Sequence, residues 1–187
     1  MCYMVDMGDG TVLITIEGYL TETKLATALQ QIVGDLWRGG QVLLPGSRRR
    51  WDMAFSQNGS LVLVEFDGDA HYRDSLKIKV DREKDRIAEE NRMRVVRVPY
   101  WVQLDDVTVQ HYFLMSAEIR QTFPHGFIST KLFPASFCEL GIERFKHDLQ
   151  ALPSPVRDDV IRSLRERSEE NGLEYVLPSQ LRELVSV

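Results

Sequence analysis

Asn58-Gly59 sits between two runs of β-prone residues, "WDMAFSQ" at 51–57 and "SLVLVEFD" at 60–67. That arrangement constrains the fold more than any other stretch. A two-residue type I′ turn needs φ > 0 at both central positions, which Asn-Gly supplies, so the two runs are expected to form an antiparallel hairpin. If Asn58 and Gly59 make the turn, Gln57 faces Ser60 and, counting back, Asp52 faces Glu65. Side chains alternate along a strand, so Leu61, Leu63, Glu65 and Asp67 are expected on one face and Val62, Val64 and Phe66 on the other.

The hairpin therefore brings three acids, Asp52, Glu65 and Asp67, to one strand end. Facing residues on antiparallel strands have Cβ atoms roughly 4.5 to 5.5 Å apart, and like charges there are destabilising. An unpaired buried carboxylate costs several kcal/mol or takes up a proton. Such a convergence implies a cation, a shared proton or an arginine. In the same register Arg50 faces Asp67, so a structural ion pair between those two is the alternative for Asp67.

The 187 residues suffice for one domain with a real core and a helical appendage, and 43% hydrophobic with 27% charged content is ordinary for a globular chain. No apolar run approaches the roughly 20 residues that span a bilayer, and "MCYMVDMGDG" lacks a basic stretch before an apolar one; a cytoplasmic protein with no membrane partner is expected. Cys2 and Cys138 lie far apart without CxxC spacing, which suggests neither a disulfide framework nor a zinc site. The net charge of −5 argues at first against a nucleic-acid partner. From Arg48 to Arg97, however, twelve Lys or Arg stand against ten Asp or Glu, while the remainder holds eleven against eighteen. The basic part of the chain thus surrounds the acidic hairpin. Arg48, Arg49 and Arg50, just before Asp52, are candidate phosphate contacts, or else a solvated strand end.

Along the chain, "TVLITIEGYL" predicts a strand, and Leu20, Leu25, Ala28, Leu29, Ile32, Val33 and Leu36 fall at helical spacing with Thr21 or Thr23 as N-cap. "GGQVLLPGS" reads as a turn and short strand before the hairpin. "DSLKIKVDREKDRIAEEN" predicts a helix with Leu76, Val80 and Ile87 on one face and Asp74, Asp81 and Asp85 opposite. "RVVRVPYWVQL" predicts a buried strand. Helix, strand, hairpin, helix, strand makes a mixed α/β core. The expected organisation is a core at 1–120 and an extension at 121–187 packed on it. The stretch from Thr122 to Pro155 reads as loops with short helices, followed by an amphipathic helix capped by Ser154 with Pro155 in first position and Gly172 beyond its end, then a short final helix.

Asp52, a hairpin, then Glu65-Phe66-Asp67-Gly68 and His71 together resemble the PD-(D/E)XK nuclease superfamily. Within it the stretch looks most like very-short-patch-repair endonucleases and their relatives, where an acid precedes a hairpin and E-x-D-G-x-x-H follows. Asp81, Lys84, Asp85 and "RVVRVP" match that branch in order and spacing, and the likeness covers roughly Thr21 to Leu104. It implies a restriction-endonuclease-like mixed β-sheet core flanked by helices, with a helical C-terminal extension outside the likeness. It also implies Mg²⁺-dependent hydrolysis of DNA, Mn²⁺ substituting, to leave 5′-phosphate ends. Mg²⁺ prefers hard oxygen ligands and usually takes one or two carboxylates, with water and substrate phosphate completing its shell. Asp52 and Glu65 are the implied ligands, joined by the Phe66 carbonyl and by Glu22, where relatives carry a further acid. A helix N-terminal Glu is also favourable through the dipole alone.

The superfamily lysine two positions after the acid is replaced here by Asp67, and the proline before the first acid by Trp51. The very-short-patch branch also lacks that lysine, which makes His71 the candidate general base or phosphate contact and gives Asp67 a role at or beside the metal. Lys77 and Lys84 could reach phosphate from the following helix. Asp81 and Asp85 would pair with bases such as Arg82 or form a solvated face, and Gln103 would support the site from a distance. "FPHGFI" with His125 is either a binding loop or, through Phe123, Phe127 and Phe133, a set of core plugs. The alternatives to a DNA endonuclease are a noncatalytic module of the same fold, its acids neutralised by Arg48 and Arg50, and an RNA-directed nuclease. Cutting a duplex with one small subunit would call for a homodimer, with the helix from Pro155 to Asn171 as its interface.

Overall fold

The computed structural model describes residues 2–6, 12–121, 125–126 and 136–186. Four strands make a mixed sheet in the order β3-β4-β5-β6: β3 (Trp37–Leu43), β4 (Arg50–Gln57), β5 (Ser60–Asp67) and β6 (Arg94–Pro99). The first three run antiparallel in sequence, and β6 lies parallel to β5. The hairpin forms as its turn chemistry demands. Asn58 and Gly59 take φ of 51° and 77°, and the ladder runs from Gln57–Ser60 to Met53–Val64.

Alternation on β5 divides the core. Val62 and Val64 join Met53, Phe55, Val96 and Val98 under helix α1 (Glu22–Val33), which contributes Leu25, Ala28, Leu29 and Val33. Thr21 caps α1 by accepting the Lys24 N–H. Leu63 faces the other way, with Trp51, Ala54 and Ala88, toward helix α3 (Ser75–Glu90), which follows the short α2 (Ala70–Arg73). Helix α4 (Asp106–Phe113) adds Val109 and Phe113 to the α1 side. A second sheet, unforeseen as a unit, joins β1 (Cys2–Asp6), β2 (Val12–Ile16) and β7 (Glu118–Gln121), and lends Ile14, Ile16 and Ile119 to the same core. No helix among the described residues is long and apolar enough to cross a membrane.

The face expected to bury α3 is used only in part, Ile87 packing half-buried against the Trp51 and Ala88 cluster. Leu76 is 67% exposed, while Ile78, Asp81, Lys84 and Ala88 are buried. Apolar periodicity failed because β5 and β6 present Glu65, Asp67 and Arg97 to this helix, so the positions opposite must carry charge rather than methyl groups. The C-terminal extension is also more regular than expected. "ELGIERFKHDLQA" is a 13-residue helix, α5 (Glu139–Ala151), followed by α6 (Ser154–Asn171), α7 (Leu173–Val176) and a 3₁₀ segment, Ser179–Leu184, where a short helix was expected. Pro153 rather than Ser154 occupies the N-cap of α6. The apolar stripe of α6, Val156, Val160 and Leu164, is buried against Phe145, Leu149, Val176 and Leu181 of its own chain, so this stripe of the helix expected as a dimer interface is not free. Half-buried Phe66 and Tyr112 pack against both this cluster and the core under α1.

Candidate functional site

The β4–β5 ladder stops at Met53–Val64, one pair short of Asp52 and Glu65. Beyond it the Asp52 carboxylate takes the place of a strand carbonyl, its Oδ2 accepting the Phe66 backbone N–H at 2.9 Å. The expected register holds as far as Met53–Val64; beyond it Asp52 is tied by its side chain to Phe66, the residue after Glu65, rather than paired with Glu65 in the ladder. Met53 and Trp51, two residues apart on β4, join different cores. The further inference that Arg50 faces Asp67 fails with the ladder: Arg50 pairs with Leu43 on β3 and donates to the Gln41 carbonyl at 3.1 Å.

Glu65 is 2% exposed, and Lys84 Nζ stands 2.5 Å from its Oε1. That oxygen meets no donor at a hydrogen-bonding angle among the described residues, so the contact balances charge without fully satisfying the acceptor. Burial first, and then the Asp52 charge, push the Glu65 carboxyl up to about 7, against the pull of Lys84 and Arg97. Glu22, at the first position of α1, is also raised, by burial and by Asp52, with Lys77 opposing. Glu22, Asp52 and Glu65 therefore share one electrostatic neighbourhood, with Lys77 and Lys84 at its edge. Lys84, expected on the exposed helix face, is 8% exposed and also lies over the Trp51 ring, 5.6 Å from its centroid.

Asp67 and His71 belong to a different cluster. Asp67 is closed to solvent. It meets Arg97 Nη1 at 2.9 Å through one oxygen and Arg144 Nη2 through the other, with His71 Nδ1 at 3.0 Å. Asp81 receives His71 Nδ1 at 2.6 Å and Arg144 Nη1 at 2.7 Å. Asp85 completes it with Arg97 at 2.9 Å. Burial pushes Asp67 up, opposed by Arg97, Arg144 and His71. Asp81 also feels burial, but His71, Arg97 and Arg144 outweigh it and hold the carboxyl down to about 2. Asp81 does not pair with Arg82, as expected from helix neighbours, but with groups from β6 and α5.

Among the described residues, Asp67, His71 and Asp81 are the one group of three potential ligands whose atoms lie within 4.8 Å of one another; Glu22, Asp52 and Glu65 do not meet that spacing. The compact trio nevertheless fits a metal poorly. Its carboxylates already take two guanidinium groups, and a further cation would be repelled. Asp52 and Glu65 fit a hard divalent cation better: both are oxygen donors, burial and then the Asp52 charge raise Glu65, and one ammonium, Lys84, stands against the two carboxylates.

The remaining sequence candidates are scattered. Arg48 is exposed, and Arg49 pairs with Glu83 at 2.6 Å. Lys77 is exposed in the first turn of α3. Gln103 is a structural tie, its Oε1 accepting the Leu20 N–H at 2.9 Å. His125 is buried, its Nδ1 accepting the Gln103 N–H at 2.9 Å; Phe123, Phe127 and Phe133, on which the choice between binding loop and core plugs turns, lie outside the described residues. Sequence reasoning missed Arg97 and Arg144. A charge inside "RVVRVP" was the visible signal for Arg97, while nothing in "GIERFKHD" distinguishes Arg144 from a surface residue.

The architecture is a mixed four-stranded sheet flanked by helices. Comparisons with protein-family models, curated proteins and solved structures found no match to this chain.

Proposed function

We propose that this chain is a restriction-endonuclease-like, Mg²⁺-dependent nuclease that hydrolyses phosphodiester bonds in DNA. The observation that carries the reading is the interrupted ladder: Asp52 leaves the strand pairing, binds the Phe66 N–H, and stands beside a buried Glu65 whose carboxyl is pushed up to about 7. Carboxylates held in mutual repulsion are what a divalent cation stabilises. In this reading Asp52 and Glu65 hold Mg²⁺ or Mn²⁺, with Glu22 and the Phe66 carbonyl as further oxygens. When bound, the cation supplies charge neutralisation at the phosphate and an acidified water.

The chain's own groups do the rest. Lys84 favours the ionised form of Glu65 and brings positive charge to the site. Lys77 and Arg48, both exposed, are available to phosphate. Asp67 and His71 act as a structural brace with Asp81, Arg97 and Arg144, not as acid and base.

A second reading, a noncatalytic module of this fold, is favoured by one contact. Lys84 neutralises Glu65 without any cation. The experiment that separates them combines calorimetry with Mg²⁺ and a cleavage panel of plasmid DNA and matched RNA. The nuclease reading expects Mg²⁺ uptake abolished by Glu65→Gln, and cleavage reduced roughly 10²- to 10³-fold by Asp52→Asn, as when one group stabilising transition-state charge is lost. No uptake and no cleavage by the wild type selects the module. Cleavage of RNA alone reassigns the substrate.

A further inference from the structure

Strand β5 and helix α3 are joined by two polar rungs. Glu65 and Asp67 lie two residues apart on one face of the strand, about 6.6 Å along it. Lys84 and Asp81 lie three apart on one face of the helix, about 4.5 Å along its axis. The first rung is the direct contact of Glu65 with Lys84 at 2.5 Å. The second, Asp67 against Asp81, puts two acids opposite each other and so cannot close by itself.

Three groups close it. His71 Nδ1 stands 3.0 Å from Asp67 and 2.6 Å from Asp81. Arg97 touches Asp67 at 2.9 Å and Asp81 at 3.5 Å. Both come from elements adjoining β5. The third comes from far along the chain: Arg144 of α5 bonds Asp67 through Nη2 and Asp81 through Nη1, one guanidinium spanning both acids. The same Nη1 donates to the His71 carbonyl at 3.2 Å, and the guanidinium lies over the Tyr72 ring at 5.2 Å. A planar fork with five donors makes this span; an ammonium on a flexible stem does not reproduce it.

We propose that Arg144 is a positioning residue for the Asp52–Glu65 pocket: by tying Asp67 of β5 to Asp81 of α3 it fixes where the end of β5 lies, and with it the Glu65–Lys84 and Asp52–Phe66 contacts. The cation-binding part of this inference rests on the nuclease reading; the geometric part does not. It gives the C-terminal extension a task in the site. Without Arg144 the second rung retains two buried carboxylates against Arg97 and His71, and Arg97 is shared with Asp85. The rung opens, and the strand end two residues from Glu65 loses its register against α3.

The test uses the full chain and Arg144→Lys, which keeps the charge and loses the fork. Amide exchange by NMR reads the geometry without any cation. The Phe66 N–H, held by Asp52, is expected to lose at least tenfold more protection in Arg144→Lys than Leu63 and Val64 of the intact ladder, which report the change in global stability. Mg²⁺ affinity is expected to fall at least tenfold in the same variant. A Phe66 loss no larger than that of Leu63 and Val64, together with wild-type Mg²⁺ affinity in folded Arg144→Lys, would overturn the proposal, because a merely structural arginine lowers the protection of all three strand amides alike. If the wild type itself takes up no Mg²⁺, the nuclease reading falls, and Phe66 exchange alone decides the positioning role. If Arg144→Lys does not fold, the double variant Asp67→Asn with Arg144→Met, which removes the ion pair from both sides, is measured by the same two readouts and judged by the same outcomes.

Discussion

Lys84 Nζ lies 2.5 Å from Glu65 Oε1, an ion pair between α3 and β5 in which both side chains are nearly closed to solvent. Removing one member of such a pair leaves the other buried and uncompensated, which costs about 3 to 5 kcal/mol. Lys84→Met keeps the apolar stem against Trp51 and deletes the charge. With Lys84 gone, burial and Asp52 act on Glu65 against Arg97 alone, so its carboxyl moves further up. At pH 6 Glu65 already holds a proton in the wild type, so little ion pair is lost, whereas at pH 8 the variant must bury an unpaired carboxylate or take up a proton. Urea denaturation at both values should show the larger loss at pH 8. Equal losses would mean that Glu65 is not the group being neutralised.

The wild type carries a pH dependence of its own. Between 4.5, the ordinary carboxyl value, and about 7, the folded protein holds a proton on Glu65 that the unfolded chain has released. Stability therefore falls as pH rises through that window, by on the order of 3 kcal/mol, and the contribution is gone above it. Asp81 acts in the opposite sense: its carboxyl is held down to about 2, so the stability it confers is present above the ordinary value near 3.8 and is lost as pH falls toward 2. Glu65→Gln should flatten the neutral slope and, because it leaves the buried Lys84 without its partner, be less stable than wild type at pH 8. Mg²⁺ should recover stability above pH 7 in the wild type and not in Glu65→Gln. Denaturation across pH 5 to 8 with and without Mg²⁺ measures all three; a wild-type slope that survives Glu65→Gln would assign it elsewhere.

How much of this was legible beforehand differs between local and distant features. Asn58-Gly59 fixed the hairpin because the turn's backbone requirement is local, and the alternation of β5 followed from the pleat. Asp52 beside Glu65 was therefore readable from residues 14 apart or fewer. The break in the ladder was not, since it depends on Asp52 competing with its own backbone for the Phe66 N–H. Helix α3 misled because its periodicity was read as apolar-in, whereas its buried stripe answers charges on β5 and β6 that one-dimensional spacing cannot align with it. Arg144 was invisible for the same reason at longer range: it lies 77 residues from Asp67. The roles expected of Asp67 and His71 came from the likeness of Glu65-Phe66-Asp67-Gly68 and His71 to a family motif, and a local motif does not show that Arg97 and Arg144 close on Asp67.

The docking of α5 that delivers Arg144 depends on one glycine. A Cβ at Gly141 would stand 1.7 Å from the Tyr72 carbonyl oxygen and 2.6 Å from its carbon. Both are backbone atoms, and the same oxygen accepts the Cys138 N–H at 3.0 Å, so nothing there can swing aside. Tyr72 is pinned from its other end as well, its hydroxyl donating to Asp148 at 2.8 Å and its ring meeting Trp101 edge-on. Gly141→Ala must push α5 away from α2. Overpacking of a tight core costs about 1 to 3 kcal/mol and occasionally more. Here the upper end is expected, because the displacement also draws Arg144 off Asp67 and Asp81. Thermal unfolding gives the size of the loss. Cys138, the half-buried N-cap of α5, reports its place: a thiol reagent should modify it faster in Gly141→Ala than in wild type under native conditions. An unchanged melting temperature together with unchanged Cys138 reactivity would show that α5 does not approach Tyr72 this closely.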